Sequence, residues 1–309
     1  MTKIRGMFFP LPTVFTNDGE IDEPVMRELI DFYVGAGVNA LFVAGSYGQG
    51  PALSESDRIR LAKFSTEQVR KRIPVIVHIG AVESHVAIEL GQAALAAGAD
   101  GVGLVGPYYY SDRTPAEVRA HFREVGRKLK CPILVYNNAK YQGYPMNARL
   151  IAQLREDTPH IFGIKLNMGT LDEAIEVRDA VGGDFGIFAM ASCLYPGMYV
   201  GQTGTVSPPL GLCPEIGVKL VAAIDAKDHD AALRLQTEVI EYHAAYVAMG
   251  KVYGRAVTAV GLRHRGFKVQ RYPRWDVPEI TEEGQARVKS MVDRALKASQ
   301  DRPLRVATA

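Results

Sequence analysis

Short runs of consecutive apolar residues recur along the chain, separated by longer stretches in which apolar residues return every three or four positions. The runs are MFFPL, ALFVAG, IPVIVHIG, VGLVG, PILVY, IFGIKL, FGIFAM and TGTVS. Continuous rather than alternating hydrophobicity suits parallel strands covered on both faces. Eight such runs, alternating with helical stretches over residues 1–226, predict an α/β fold of the closed (β/α)8 barrel type. The competing fold is an open, doubly wound sheet. Against it, no GxGxxG or GxxxxGK[ST] follows the first run, and no acidic residue is placed for a ribose.

Punctuation between the runs supports the alternation. Gly37, Gly98 and Gly201 each stand where a helix should end in a left-handed cap before an apolar strand. Capping boxes are expected at Ser54–Asp57, Thr114–Glu117 and Thr170–Glu173, the second with Pro115 at the first helical position. One helical face is expected to carry Val118, Phe122, Val125 and Leu129, and another Val86, Leu90, Ala94 and Ala97. From Asp228 the strand signal stops, and helical periodicity runs to about residue 262, with a further helix near 282–299. Residues 227–309 therefore read as a helical extension packed on the barrel and available for subunit contacts.

Composition narrows the function classes. With 36 basic and 34 acidic side chains, net +2, and no long block of one sign, a nucleic-acid footprint is not expected. The N-terminal apolar run is too short for a secretory signal, and nothing approaches a membrane span, so a cytoplasmic protein is expected. Cys131, Cys193 and Cys213 are odd in number and widely spaced, which argues for small buried hydrophobes rather than disulfides or a zinc knuckle.

In such barrels chemistry sits at the C-terminal strand ends. Lys165 ends the sixth run in apolar company, and Tyr136 ends the fifth, one strand away. Adjacent strands lie about 4.8 Å apart, so the two can approach one ligand atom. An amine among apolar groups loses proton affinity, and a neutral amine attacks a ketone. The iminium formed is an electron sink for a carbanion at C3 of a 2-keto acid, while the tyrosine can move protons to and from the reacting oxygens. Taken alone, a strand-end lysine more often snorkels to solvent, and a buried tyrosine is more often a core aromatic. The turn Gly45–Gly50, with three glycines, could offer backbone N–H groups to a carboxylate or could simply be a tight loop.

Five ordered motifs together resemble the dihydrodipicolinate synthase and N-acetylneuraminate lyase family of Schiff-base-forming aldolases. They are Pro10-Leu11-Pro12-Thr13-Val14-Phe15, Gly45-Ser46-Tyr47-Gly48-Gln49, Pro107-Tyr108-Tyr109, Tyr136-Asn137 and Gly163-Ile164-Lys165, spread over nearly the whole chain. The resemblance implies that Lys165 forms the imine, that Tyr136 transfers protons, and that Ser46 and Tyr47, with Gly48, bind the substrate carboxylate. It also implies a homotetramer built from dimers, with Tyr109 joining the catalytic set from a subunit contact. Tyr141 and Val206 complete the expected substrate-binding residues. No cofactor and no metal are implied.

Departures from the family pattern bear on the substrate. Where dihydrodipicolinate synthase has a Thr-Thr pair, this chain has Ser46-Tyr47, and Tyr141 replaces an arginine that grips a second carboxylate. Lysine biosynthesis is therefore not expected. Residues 188–192 lack the acids that hold sugar hydroxyls in the neuraminate lyase branch, and Leu166 replaces a frequent acid. The expected substrate is a smaller or more apolar 2-keto acid, with a 2-keto-3-deoxy acid cleaved by an aldolase or dehydrated by a related enzyme. Two other classes stay open: a catalytically silent barrel that binds a small 2-keto acid as regulator or scaffold, and a metal-dependent lyase. For the latter, only His78 and Asp112 lie near strand ends, and His78 reads as a pocket or core residue.

Overall fold

A computed structural model describes residues 4–166 and 170–300. Eight parallel strands close into a barrel in sequence order. They are β1 (Gly6–Pro10), β2 (Ala40–Val43), β3 (Val75–His78), β4 (Gly101–Val105), β5 (Ile133–Asn137), β6 (Ile161–Leu166), β7 (Gly186–Ala189) and β8 (Gly204–Thr205). Pairing of β1 with both β2 and β8 leaves no free edge. Each strand overlaps one of the eight apolar runs, with Gly6, Gly101 and Asn137 lying one residue outside them. Gly37, Gly98 and Gly201 have φ of 87°, 94° and 112°, a region that glycine enters without a Cβ clash.

Helices return the chain between strands. Thr114 forms a complete capping box with Glu117 at the start of the helix Pro115–Leu129. Ser54 and Thr170 cap in one direction only, by accepting from the N–H of Asp57 and Glu173. Asp57 cannot reach back because its carboxylate is engaged by Arg274 at 2.9 Å. Val118, Phe122, Val125 and Leu129 are buried as their spacing predicts. On the helix Ser84–Ala96 the buried face is centred on Ala87, Leu90, Gly91 and Ala94, and Val86 is only half-buried, so this face is rotated from the expected one.

Two apolar layers hold the barrel. The outer one lies between strands and helices, and the inner one fills the barrel with Phe8, Phe42, Phe188 and Val206 among others. Phe8 meets Phe42 and Phe188 edge to face, at centroid distances of 5.8 and 5.2 Å. The barrel is thus plugged beneath its C-terminal mouth.

Beyond the barrel come the helices His229–Tyr253, Ala256–His264 and Glu282–Gln300. Periodicity alone predicts one continuous helix to about residue 262. Instead the chain breaks at Gly254, whose φ of 58° and ψ of −139° suit glycine alone. Among the described residues no helix is long and apolar enough to cross a membrane.

Candidate active site

Lys165 points into the barrel mouth because of an irregularity in β6. Ile133 pairs with Ile161, but Leu134 pairs with Gly163, so Phe162 is an extra residue on β6. Side chains alternate along a strand, and one inserted residue switches the faces of all that follow. Phe162 packs on the inner core, whereas Ile164 and Leu166 belong to the outer layer. Lys165 is thereby turned inward. Strands β6 and β7 come so close here that a Cβ on Gly163 would lie 2.5 Å from the Gly186 carbonyl oxygen.

Tyr136 and Lys165 are partners in the register of β5 and β6. The amine lies over the tyrosine ring, 3.7 Å from its centroid, and Lys165 is 5% exposed. The Tyr136 hydroxyl accepts a hydrogen bond from Asn138 Nδ2 at 2.9 Å and lies 3.3 Å from Ser46 Oγ. With its oxygen already accepting from Asn138, Tyr136 can direct its proton to Ser46 or to a ligand. Burial pushes the phenol's pKa up, but the Lys165 ammonium and the hydrogen bonds with Ser46 and Asn138 outweigh it. The net effect is below the usual tyrosine value. A phenol biased in this direction is suited to giving and retaking a proton.

The turn between Gly45 and Gly50 is stitched to the early proline motif. Thr13 Oγ1 donates to the Gly48 carbonyl at 2.6 Å, and Gln49 Nε2 donates to the Thr13 carbonyl at 3.2 Å. Ser46 and Tyr47 line the same cavity as Lys165 and Tyr136. The Tyr47 hydroxyl lies 3.1 Å from Thr258 Oγ1, which lies 2.8 Å from the Tyr246 hydroxyl. Burial holds the Tyr47 phenol well above its ordinary pKa, so it stays protonated as a fixed hydrogen-bonding group.

The cavity measures about 320 Å³. Phe42 and Pro10 come from the barrel, Tyr141 from the short helix Ala139–Gln142, and Tyr246, Gly250, Gly254 and Arg255 from the extension. Arg255 Nη1 donates to the Ser46 carbonyl at 3.2 Å and to the Tyr272 hydroxyl at 3.3 Å. Among the described residues the walls include no carboxylate. On the extension side a guanidinium, that of Arg255, forms part of the wall. A larger groove of about 520 Å³ runs beside the helix Ala256–His264, but its Arg271 is paired with Asp276 and its Arg263 with the carbonyls of Val269 and Gln270.

Of the expected site residues, Lys165, Tyr136, Ser46, Tyr47 and Tyr141 converge on the cavity. Gly48 is buried behind it, holding the turn, and Val206 belongs to the inner core. Tyr109 lies apart, 81% exposed, with φ of 79° and its ring against Tyr110. His78 packs edge-on against Phe42 and Tyr136 beneath the site, and burial lowers its pKa to about 3, so it is neutral. Asp112 is exposed. Among the described residues no group of three or more His, Cys, Asp or Glu could hold a metal ion.

Sequence reasoning missed Asn138, Tyr246, Arg255 and Thr258. Asn138 carried a signal, because residues two apart on a strand share a face and Tyr136 was already placed inward. The others depend on how the extension packs.

The model of the Dihydrodipicolinate synthetase family matches residues 3–295. YagE of Escherichia coli K12, provisionally named a 2-dehydro-3-deoxy-D-gluconate aldolase, is 29% identical over 80% of this chain and 81% of its own. Its crystal structure with pyruvate superposes with a TM-score of 0.86, covering 94% of this chain and 98% of that one at 26% identity. YjhH of the same organism, provisionally named a 2-dehydro-3-deoxy-D-pentonate aldolase, is 28% identical over 80% of this chain and 83% of its own. A 4-hydroxy-tetrahydrodipicolinate synthase of Nitratidesulfovibrio vulgaris DP4 is 31% identical over 77% of this chain and 81% of its own.

Proposed function

Because this chain belongs to the Dihydrodipicolinate synthetase family, we propose that it is a Schiff-base lyase acting on a 2-keto-3-deoxy acid through Lys165. The observation that carries the proposal is the register-paired Tyr136 and Lys165, amine over ring, in a cavity whose described residues include no carboxylate. Lys165 Nζ, as the free amine, attacks the C2 ketone. Tyr136 protonates the carbinolamine oxygen, which leaves as water, and the iminium remains. In an aldolase, Tyr136 takes the proton of the C4 hydroxyl as the C3–C4 bond breaks and its electron pair moves into the iminium. The aldehyde departs, the enamine is protonated at C3, and water releases pyruvate. In a dehydratase, C3 loses a proton instead and the C4 hydroxyl is expelled. Ser46 and the N–H groups of its turn hold the C1 carboxylate.

The provisional aldolase names of YagE and YjhH favour carbon–carbon cleavage. Pyruvate release, followed with lactate dehydrogenase, assigns the aldolase, and 2-oxoglutarate semialdehyde from a pentonate substrate assigns the dehydratase. Borohydride reduction with pyruvate, followed by peptide mapping, should place the adduct on Lys165. An unmodified Lys165 would leave a silent binding barrel instead. The exposed Tyr109 and Tyr110 pair supports a subunit contact and thus a homotetramer, which light scattering on the purified protein tests. Free Cys131, Cys193 and Cys213 accord with a cytoplasmic enzyme.

A further inference from the structure

Among the described residues the cavity wall carries Lys165 and Arg255 and no carboxylate. An imine formed on Lys165 has a positively charged nitrogen, which joins the guanidinium of Arg255 in the same cavity. A monocarboxylic 2-keto acid would bring one negative charge to a cavity holding two positive ones.

Several arginines of the extension pair with acids, whereas Arg255, like Arg263, has only neutral hydrogen-bond partners among the described residues. Arg265 holds Glu215, Arg271 holds Asp276, and Arg274 holds Asp57. The recorded hydrogen-bond partners of Arg255 are neutral, a backbone carbonyl and a phenol, and Trp275 lies under its guanidinium at 5.4 Å. Both hydrogen bonds use Nη1, which leaves donors over. A half-buried guanidinium with no counter-ion among the described residues is an unfavourable arrangement unless a ligand supplies the anion.

The surroundings leave space for such a ligand. Cβ atoms built on Gly250 or Gly254 would meet nothing within 4 Å, so the wall beside Arg255 is open. Tyr141 shares this wall, and its hydroxyl can add a donor to the same anion.

From these observations we infer that the site takes 2-keto acids bearing a second anionic group at the end remote from the ketone, and that Arg255 receives it. The inference rests on the imine reading above, in which Lys165 fixes the ketone end. Arg255 is thus a specificity-determining residue, set into the wall by the break at Gly254. A carboxylate and a phosphoryl group would both satisfy the guanidinium fork.

The test compares ligands of matched length by borohydride trapping on the full chain. Half-saturating concentrations are measured for pyruvate, 2-oxopentanoate, 2-oxoglutarate and 4-phosphono-2-oxobutanoate. A ligand with the second anionic group should trap at a concentration about 10-fold below 2-oxopentanoate, whose remote end is uncharged, the usual effect of one charge-assisted contact. That ratio should fall to near unity in Arg255→Met, be partly kept in Arg255→Lys, and shrink with added salt in the unaltered protein. Whichever of 2-oxoglutarate and the phosphonate shows the larger ratio identifies the anion. Using a ratio guards against a general effect of the substitution on the Ser46 turn. The inference is overturned if pyruvate is trapped but the unaltered protein shows no preference, or if the preference survives in Arg255→Met. It is equally overturned if Arg255→Met weakens all four acids alike, which would put Arg255 on the C1 carboxylate. A failure of pyruvate itself to trap would instead strike at the imine.

Discussion

On the barrel side of the cavity, Lys165 and Tyr136 stand on adjacent strands paired in register, above a plug of edge-on aromatic rings. On the extension side, Gly250, Gly254 and Arg255 lie at a helix break, joined to the barrel through single hydrogen bonds such as Arg255 to Ser46. The first arrangement fixes atoms to within the tolerance of a strand ladder, which bond-making requires. The second leaves open space beside a charge, and so it can adapt to what is bound. Within one cavity, the rigid wall suits chemistry and the looser wall suits selection among substrates.

Substitutions on the two walls should separate these roles. Lys165→Ala should abolish both imine trapping and turnover, because no other described group in the cavity supplies a nucleophilic amine. Residual trapping at another lysine would break the assignment of chemistry to the strand pair. Tyr136→Phe should keep the thermal midpoint close to the parent's while turnover drops about 10² to 10⁴-fold, the worth of a positioned proton donor. Full activity in steady-state assays would refute its role.

Acid should weaken the barrel half through His78 and His121, the two fully buried histidines. Burial is the largest influence on both rings and lowers their pKa values to about 3 and about 4. The folded protein therefore binds fewer protons than the unfolded chain, and stability should fall as pH drops from about 6.5 towards those values. For His121 the loss by pH 4 is on the order of 3 kcal/mol, which urea titrations of His121→Gln and its parent should resolve as a flatter pH dependence in the variant. Parallel curves would show that the ring is not kept neutral. The smallest effect belongs to the extension. Gly254→Ala meets no steric obstacle, but its backbone conformation should cost about 1–3 kcal/mol. We expect KM to rise several-fold with kcat nearly unchanged, and an equal fall in kcat would blur the division between the walls.

The barrel was legible because each strand is a contiguous apolar run, and Lys165 and Tyr136 were legible because strand ends mark the mouth. Which way Lys165 faces was not, since it follows from the extra Phe162 in β6, and a bulge leaves no trace in hydrophobic patterning. The rotation of the Ser84–Ala96 face depends on neighbours that bury Ala87 and Gly91, small residues with little hydrophobic signal. Val206, expected among the substrate-binding residues, packs in the inner core with Phe42, which itself lines the cavity. Arg255 was hidden because the periodicity around it continues through Gly254, and because its link to the barrel turn, at Ser46, spans 209 positions.

That separation has a consequence for the order in which the protein becomes functional. During synthesis every barrel strand is made before Tyr246, Gly250 and Arg255. A nascent chain at that stage can hold an inward-facing amine with no roof over it. Substrate discrimination is therefore the last property the growing polypeptide acquires, arriving only after its reactive centre is already in place.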